Sequence, residues 1–423
     1  MKLAMIGSGY VGLCTGIGFA AKGHDVTCVD TDAPKVSMIN RGEVPFYEKG
    51  LQENLRKFLR KKTFRAKVGM RDVPAVDAVF VCVGTPADKK GRIDLSYVAA
   101  AAQETGNYLA SIPSYCVVVV KSTVVPGTTE SVVVPALEKH SGKKIGQFGV
   151  CSSPEFLKEG KALDDFMHPN YVVIGESDKK SGNVLKKLYA GFRAPVIRTN
   201  IRTAEMIKYA ANAFLATKIS FINEIGNMCR QRGIDAYTVA DAIGNDKRIG
   251  RLFLDAGCGF GGSCFTKDLS ALISSADAYD PRLLEEVLQL NIRQRKRIVD
   301  MLKGKMQLKN KRIAVLGLSF KPDTDDIRDA AAVDVIQYLR DEGAQVVAYD
   351  PKAMENTRKV HPDITYADSA REALAGADAC LILTEWDEFK KLGEKDFASM
   401  KNRIIVEGRR VLSGVAGSEG ICW

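Results

Sequence analysis

Between Gly257 and Asp268 the chain reads Gly-Cys-Gly-Phe-Gly-Gly-Ser-Cys-Phe-Thr-Lys-Asp. Glycines on the amino-terminal side of Cys264 leave room for a substrate to approach its sulfur. A helix predicted to begin just after Cys264, with Lys267 close by, would lower the thiol pKa and populate the nucleophilic thiolate. Asp268, four residues on, suits a base or a water-orienting group. Most cysteines in glycine turns are buried structural residues, but the flanking glycines and the Lys267–Asp268 pair favour chemistry here. No histidine lies in this stretch, which argues against a Cys–His protease.

Four further segments carry candidate side chains. Lys208 and Asn212 stand four apart in a helical pattern and so share a face, where they suit an oxyanion or a substrate hydroxyl. Their setting of small apolar residues sets them apart from an ordinary solvated face. Ser153-Pro154-Glu155-Phe156-Leu157-Lys158-Glu159-Gly160 follows a strand and spaces two carboxylates for acid–base work, or simply as first-turn helix acids. Lys121 to Thr129, with Thr123, and Gly84-Thr85-Pro86 each follow a strand, where cofactor-facing loops occur in doubly wound sheets.

The first strand runs into Gly7-Ser8-Gly9-Tyr10-Val11-Gly12. Gly7, Gly9 and Gly12 permit a tight turn, close approach of backbone to a pyrophosphate, and close helix–sheet packing. The helix N-terminus then offers free N–H groups to the anion. Asp30, at the end of the second strand, would accept the ribose hydroxyls and repel a 2′-phosphate, so NAD is expected over NADP. Lys35 moderates that preference. A later segment, Val315 to Lys321, lacks the three-glycine fingerprint; Lys321 near its strand end could meet a phosphate or merely lie exposed.

These residues need a scaffold, and 423 residues exceed one comfortable core. Strand-like runs at Leu3–Ile6, Asp25–Val29, Ala78–Val83, Cys116–Lys121, Gln147–Cys151 and Tyr171–Ile174 alternate with helical patterns, which predicts a parallel, doubly wound α/β sheet. A long helix is predicted from Thr199 to Arg232, interrupted only by Gly226, and a second helix from Arg282 to about Leu302. Strand–helix alternation restarts with Arg312–Leu316, Gln345–Tyr349, Ala379–Leu383 and Arg403–Val406, so the two α/β halves look like a degenerate repeat. Three domains are expected: 1–198, 199–302 and 303–423.

The net charge of +10 would suit an anionic partner. The basic residues are scattered, and no nucleic-acid-binding motif appears even at the densest cluster, Arg56 to Arg65, so a small anion is expected rather than nucleic acid. Ten cysteines without a Cys-x-x-Cys pair and four scattered histidines support neither a zinc site nor a disulfide framework, and point to a reducing cytoplasm. Strand-like sequence from Lys2 leaves no room for a signal peptide, and no apolar run approaches a membrane span.

Taken in order, GSGYVG, VGTP, STVVPGTT, PEFLKEG, AEMIKYAANAFLATKISFINE, GFGGSCFTKD and LSFKPDTDDIRD resemble the UDP-glucose/GDP-mannose dehydrogenase family over essentially the whole chain. The resemblance implies a nucleotide-sugar oxidoreductase that makes two NADH per sugar, with Cys264 as nucleophile. It implies that Lys208 and Asn212 bind the reacting sugar, and that Thr123, Glu155 and Asp268 position water or move protons. Tyr10, Val11, Thr85, Pro86, Glu159, Lys267 and Arg328 would lie near NAD. Phe156, Leu157, Lys158, Phe260, Gly261, Lys321 and Arg409 would meet substrate. A homodimer built on the central helices is implied, with Arg248 reaching the neighbouring subunit's site.

Two positions depart from the family pattern: Thr266 stands where proline is frequent, and Glu407 where Asp-Gly-Arg usually begins. Arg248-Ile249-Gly250 leading into Leu252 to Gly257 resembles the UDP-glucose branch, so UDP-glucose is the expected substrate and GDP-mannose or another UDP-hexose the alternative. A β-hydroxyacid dehydrogenase would share the Lys–Asn pair but would leave Cys264 and the second α/β half unexplained. A non-catalytic sensor would be expected to lack the nucleophile.

Overall fold

The computed structural model describes residues 1–88 and 90–423. The chain divides into two compact units, Met1–Ala211 and Asn212–Trp423.

The first unit is built on eight strands: β1 (Lys2–Ile6), β2 (Asp25–Asp30), β3 (Phe64–Val68), β4 (Ala78–Val81), β5 (Val117–Val120), β6 (Gly149–Ser152), β7 (Val172–Glu176) and β8 (Val196–Thr199). They lie in the order β3-β2-β1-β4-β5-β6-β7-β8. Side chains alternate across the sheet. Leu3 and Met5 therefore pack with Leu13, Ile17 and Phe19 of the first helix, while Ala4 and Ile6 join Val79, Val81 and Val98 on the opposite face. Burial on both faces explains the unbroken apolar runs of β4 and β5.

The all-parallel expectation fails at β7, which runs antiparallel to β6, with β8 then parallel to β7. A parallel return needs a crossover to the opposite edge of the sheet. Here the return from β6 stays at the carboxyl edge, through the Ser153–Gly160 segment and a short helix, Ala162–Met167. That helix is anchored by Phe166 against Phe19 at 4.9 Å between ring centroids.

In the second unit a six-stranded sheet comprises β9 (Arg312–Leu316), β10 (Gln345–Tyr349), β11 (Thr365–Tyr366), β12 (Ala379–Ile382), β13 (Ile405–Glu407) and β14 (Ser418–Gly420). All pair in parallel, in the order β11-β10-β9-β12-β13-β14. This is the order of the first six strands of the other sheet, so the repeat is one of topology as well as of pattern.

The long helix spans Ile201–Gln231, and helices Phe265–Ser274 and Arg282–Lys303 follow. Gly226 does not break the long helix because it serves packing: a Cβ there would lie 2.7 Å from the Cys422 Cβ. No helix among the described residues is long and apolar enough to cross a membrane.

Candidate active site

At the end of β1 the backbone turns through Gly7 at φ +97°, a left-handed conformation that glycine adopts without strain. A Cβ on Gly12 would lie 1.9 Å from the Gly7 carbonyl, whereas one on Gly9 would meet nothing within 4 Å. The Tyr10–Ala21 helix opens at Gly9 with no side-chain cap and no acid in its first turn. Its N–H groups and dipole therefore face an open, glycine-lined cradle, which fits the pyrophosphate of NAD. Asp30 closes the motif: its Oδ2 accepts from the Ser8 N–H at 2.8 Å, the Ser8 hydroxyl at 2.5 Å and Lys35 Nζ at 3.3 Å. Burial works against ionisation, but these bonds and the Lys35 charge hold the carboxyl below its ordinary range.

The second half repeats the geometry and removes the function. Gly317 again turns at φ +90°, and Asp350 stands where Asp30 does. Its Oδ2, however, takes the Leu318 and Ser319 N–H groups at 2.7 and 3.1 Å and Trp386 Nε1 at 3.0 Å. Oδ1 takes the Lys352 and Ala353 N–H groups, both at 2.8 Å. A carboxylate so surrounded has no lone pair for a ribose, and the next helix starts only at Ala331.

Glu155 does not open a helix, contrary to one of its sequence readings; Ser153–Lys158 is extended loop and helix resumes at Ala162. Glu155 Oε1 instead forms a buried ion pair with Lys208 Nζ at 3.1 Å, and the Leu157 N–H donates to Oε2. Phe156 lies under the ammonium, 5.3 Å from Nζ to ring centroid. Lys158 pairs with Asp165 at 3.2 Å and is half out in solvent, and Glu159 is half-buried. The loop is clasped by Glu48, a residue sequence reasoning passed over. Its carboxylate takes the Gly160 N–H at 2.7 Å, the Ala162 N–H at 2.8 Å and the Tyr10 hydroxyl.

Thr123 is half-buried just past β5, while Thr85 is buried and Pro86 exposed past β4. The Ser122 hydroxyl donates to the Val83 carbonyl at 2.7 Å and ties these two loops together. Glu205 anchors the loop past β5, accepting from the Gly127 and Thr129 N–H groups at 2.6 and 3.0 Å. Burial pushes its carboxyl up in spite of these bonds.

In the second unit Cys264 is the N-cap of the Phe265–Ser274 helix, as expected, and it is the exposed one among ten free cysteines. Ser263 Oγ lies 3.6 Å from its sulfur. Asp268, one turn along, is buried and receives Asn212 Nδ2 and Lys267 Nζ, each at 2.6 Å. The Lys267 ammonium is thus turned onto the carboxylate, where the sequence reading had aimed it at the thiol.

The glycine loop is held by its backbone. Asn223 Oδ1 accepts the Gly257 N–H at 2.8 Å and Gln294 Nε2 donates to the Gly257 carbonyl at 2.7 Å. Asn291 binds both backbone groups of Phe260, at 2.8 and 3.0 Å. Arg295 donates to the Phe260 carbonyl at 2.6 Å. These buried polar residues went unremarked in the sequence. Their signal was present: Asn291, Gln294 and Arg295 share the inward stripe of the Arg282–Lys303 helix with Val287, Ile298 and Leu302, a register that apolar residues normally fill. Gly261 is required because a Cβ would lie 2.4 Å from the Asp329 carbonyl.

Arg409 donates to the Gly259 carbonyl and lies 3.7 Å from Glu385. Glu407, in place of the family's Asp, reaches the Val411 and Leu412 N–H groups, both at 2.8 Å, and so shapes the turn that carries Arg409. Lys321 lies 5.4 Å from the Phe320 ring centroid. Arg328 and Arg248 both project outward with their guanidinium groups on nearby acids, Asp326 at 2.6 Å and Asp246 at 2.5 Å.

Three family descriptions match most of the chain. That of the UDP-glucose/GDP-mannose dehydrogenase NAD binding domain matches residues 1–193, its central domain residues 202–293, and its UDP binding domain residues 314–414. The chain belongs to the UDP-glucose/GDP-mannose dehydrogenase family. It is similar to the UDP-glucose 6-dehydrogenase AglM of Haloferax volcanii, with 45% identity over 98% of this chain and 97% of that one. It is similar to the UDP-glucose 6-dehydrogenase TuaD of Bacillus subtilis, with 44% identity over 97% and 90%. Among solved structures, a UDP-glucose dehydrogenase from Pyrobaculum islandicum superposes with a TM-score of 0.93 at 38% identity, over 100% of this chain and 98% of that one. As a member of this dehydrogenase family, the protein is an NAD-dependent oxidoreductase acting on a nucleotide sugar.

Proposed function

We propose that the protein is a UDP-glucose 6-dehydrogenase that oxidises the sugar's primary alcohol to a carboxylate through a thioester on Cys264. The observation that carries this reading is the exposed Cys264 at a helix N-terminus, one turn from Asp268, which Asn212 and Lys267 hold. The 45% identity with a UDP-glucose 6-dehydrogenase supports the choice of sugar.

Gly7, Gly9, Tyr10, Val11, Gly12, Asp30 and Lys35 hold NAD, with Thr85, Pro86, Thr123, Glu159, Lys267 and Arg328 completing its contacts. NAD bound there would supply the hydride acceptor, one molecule for each of the two oxidations at C6. Lys208 balances negative charge on the C6 oxygen, its own charge being shared with Glu155. The Cys264 thiolate adds to the aldehyde carbon and keeps it from escaping as a free aldehyde. Loss of the second hydride from that carbon leaves a thioester. Asp268, Glu155 and Thr123 orient the water that attacks it and accept its proton; the C–S bond then breaks and the thiolate returns. Phe156, Leu157, Lys158, Phe260, Gly261, Lys321 and Arg409 bind the remainder of UDP-glucose.

The protein works as a homodimer in the cytoplasm, with the domain division 1–198, 199–302 and 303–423. Phe214, Phe221 and Met228 recur every seven residues along the long helix and are 64%, 49% and 49% exposed, a stripe that suits a partner helix. Arg248, exposed and paired with Asp246, would reach the neighbouring subunit.

The test is the NADH formed per UDP-glucose, with GDP-mannose in parallel and Cys264→Ser as control. Two NADH per UDP-glucose, lost or stalled in the variant, are expected. Turnover of GDP-mannose alone would keep the mechanism and overturn the sugar; silence on both would overturn the reading.

A further inference from the structure

We infer that Thr266 is a positioning residue for Cys264, acting through Asp329 in place of the proline that the family often carries there. The inference rests on Cys264 being the nucleophile.

Thr266 lies in the first turn of the Cys264 helix, and its hydroxyl donates to Asp329 Oδ2. Asp329 is itself fixed. Arg295 NH1 donates to its Oδ1 at 2.6 Å and Arg295 NH2 to its carbonyl at 3.1 Å. Its backbone sits at φ +51°, in the left-handed region that Asp enters more readily than most residues with a Cβ. Arg295 is buried and also paired with Asp334 at 2.7 Å.

The same short segment grips the chain on the other side of the cysteine. The Gly262 N–H donates to the Arg328 carbonyl at 3.0 Å, and the Asp329 carbonyl fills the space beside Gly261. Cys264 is therefore strung between two tethers, Gly262 and Thr266, which end on neighbouring residues, Arg328 and Asp329.

A proline in the first turn of a helix sets φ near −65° by covalent geometry and lacks only an N–H that the helix does not use. Threonine has no such restraint, and its branched Cβ is a poorer helix former. The hydroxyl–carboxylate bond restores what the ring would have supplied, as a link to a residue that Arg295 already holds rigid.

Three variants test this: Thr266→Val, which keeps the shape and loses the hydroxyl, Thr266→Ser, which keeps the hydroxyl, and Thr266→Pro, which substitutes the ring. Each is assayed for kcat and KM with UDP-glucose and NAD, and for the rate of Cys264 alkylation by iodoacetamide in the folded enzyme. Thr266→Val is expected to lose about tenfold in kcat and in alkylation rate, in line with one charge-assisted hydrogen bond, with KM for NAD unchanged. Thr266→Ser and Thr266→Pro should stay within about threefold of wild type. A Thr266→Val enzyme indistinguishable from wild type, or a Thr266→Ser enzyme as slow as Thr266→Val, overturns the inference. So does a folded Thr266→Pro enzyme as slow as Thr266→Val. Wild-type enzyme that makes no NADH would instead overturn the reading of Cys264 on which it stands.

Discussion

Lys208 and Glu155 form an ion pair of 3.1 Å in which each side chain is less than a tenth exposed. Removing one partner of such a pair leaves an uncompensated charge in a dry site, which costs far more than the pair gains over a hydrophobic alternative. Glu155→Ala should therefore lose about 3–5 kcal/mol in urea unfolding, along with most of its turnover. Denaturation curves that differ by less than about 1 kcal/mol would mean that the pair is solvated in practice.

Asp268 is held by an amide and an ammonium, and its replacement by the isosteric Asp268→Asn keeps the shape while removing the base. A fall in kcat of about 10²–10⁴ is expected. Rapid-quench analysis should show thioester accumulating in the variant, since hydrolysis is the step that needs the proton acceptor. Unchanged kcat would remove Asp268 from the chemistry.

The depressed carboxyl of Asp30 has a consequence for stability. A carboxyl whose folded pKa lies below its unfolded value of 3.8 favours the folded state at every pH above that value. The advantage is lost as pH falls through the lower, folded value. The difference in Tm between wild type and Asp30→Asn should be constant from neutrality to about pH 5 and narrow below 3.8. Calorimetry over that range checks the sign; a gap that widens in acid would contradict the hydrogen bonding from Ser8.

Phe221 lies at the middle of the exposed stripe on the long helix. Phe221→Glu places a charge where a partner helix is proposed, and sedimentation should report half the wild-type mass at micromolar concentration. If wild type and variant sediment alike, the stripe is not the subunit contact.

Legibility in the sequence followed burial. The strands foreseen to the residue, Arg312–Leu316 and Gln345–Tyr349, lie inside their sheet, where both faces are covered and the apolar run is unbroken. The four strands that went unseen, Phe64–Val68, Val196–Thr199, Thr365–Tyr366 and Ser418–Gly420, are the four edges of the two sheets. Edge strands need not be apolar, and Val196–Thr199 has no fully buried residue. The reversal of β7 was invisible for a different reason: a hydrophobic pattern carries no direction. Among the residues that type and spacing single out, Cys264 is exposed at a helix N-terminus, Asn212 donates to Asp268, and Lys208 pairs with Glu155. Glu48, Glu205, Asn223 and Asn291 were passed over, because each acts on backbone atoms distant in sequence, and a backbone atom leaves no mark on residue identity.

Nine of the ten cysteines are buried and Cys264 alone is exposed. Burial raises several of the nine thiols, to about 12 for Cys82, Cys116 and Cys151, so at neutral pH they carry almost no thiolate. A disulfide-exchanging dye added to the native protein should therefore count one sulfur per chain. With Cys264 as the proposed nucleophile, the same arrangement would make the enzyme brittle towards peroxide: an oxidant would stop catalysis at a single atom, long before it damaged the fold.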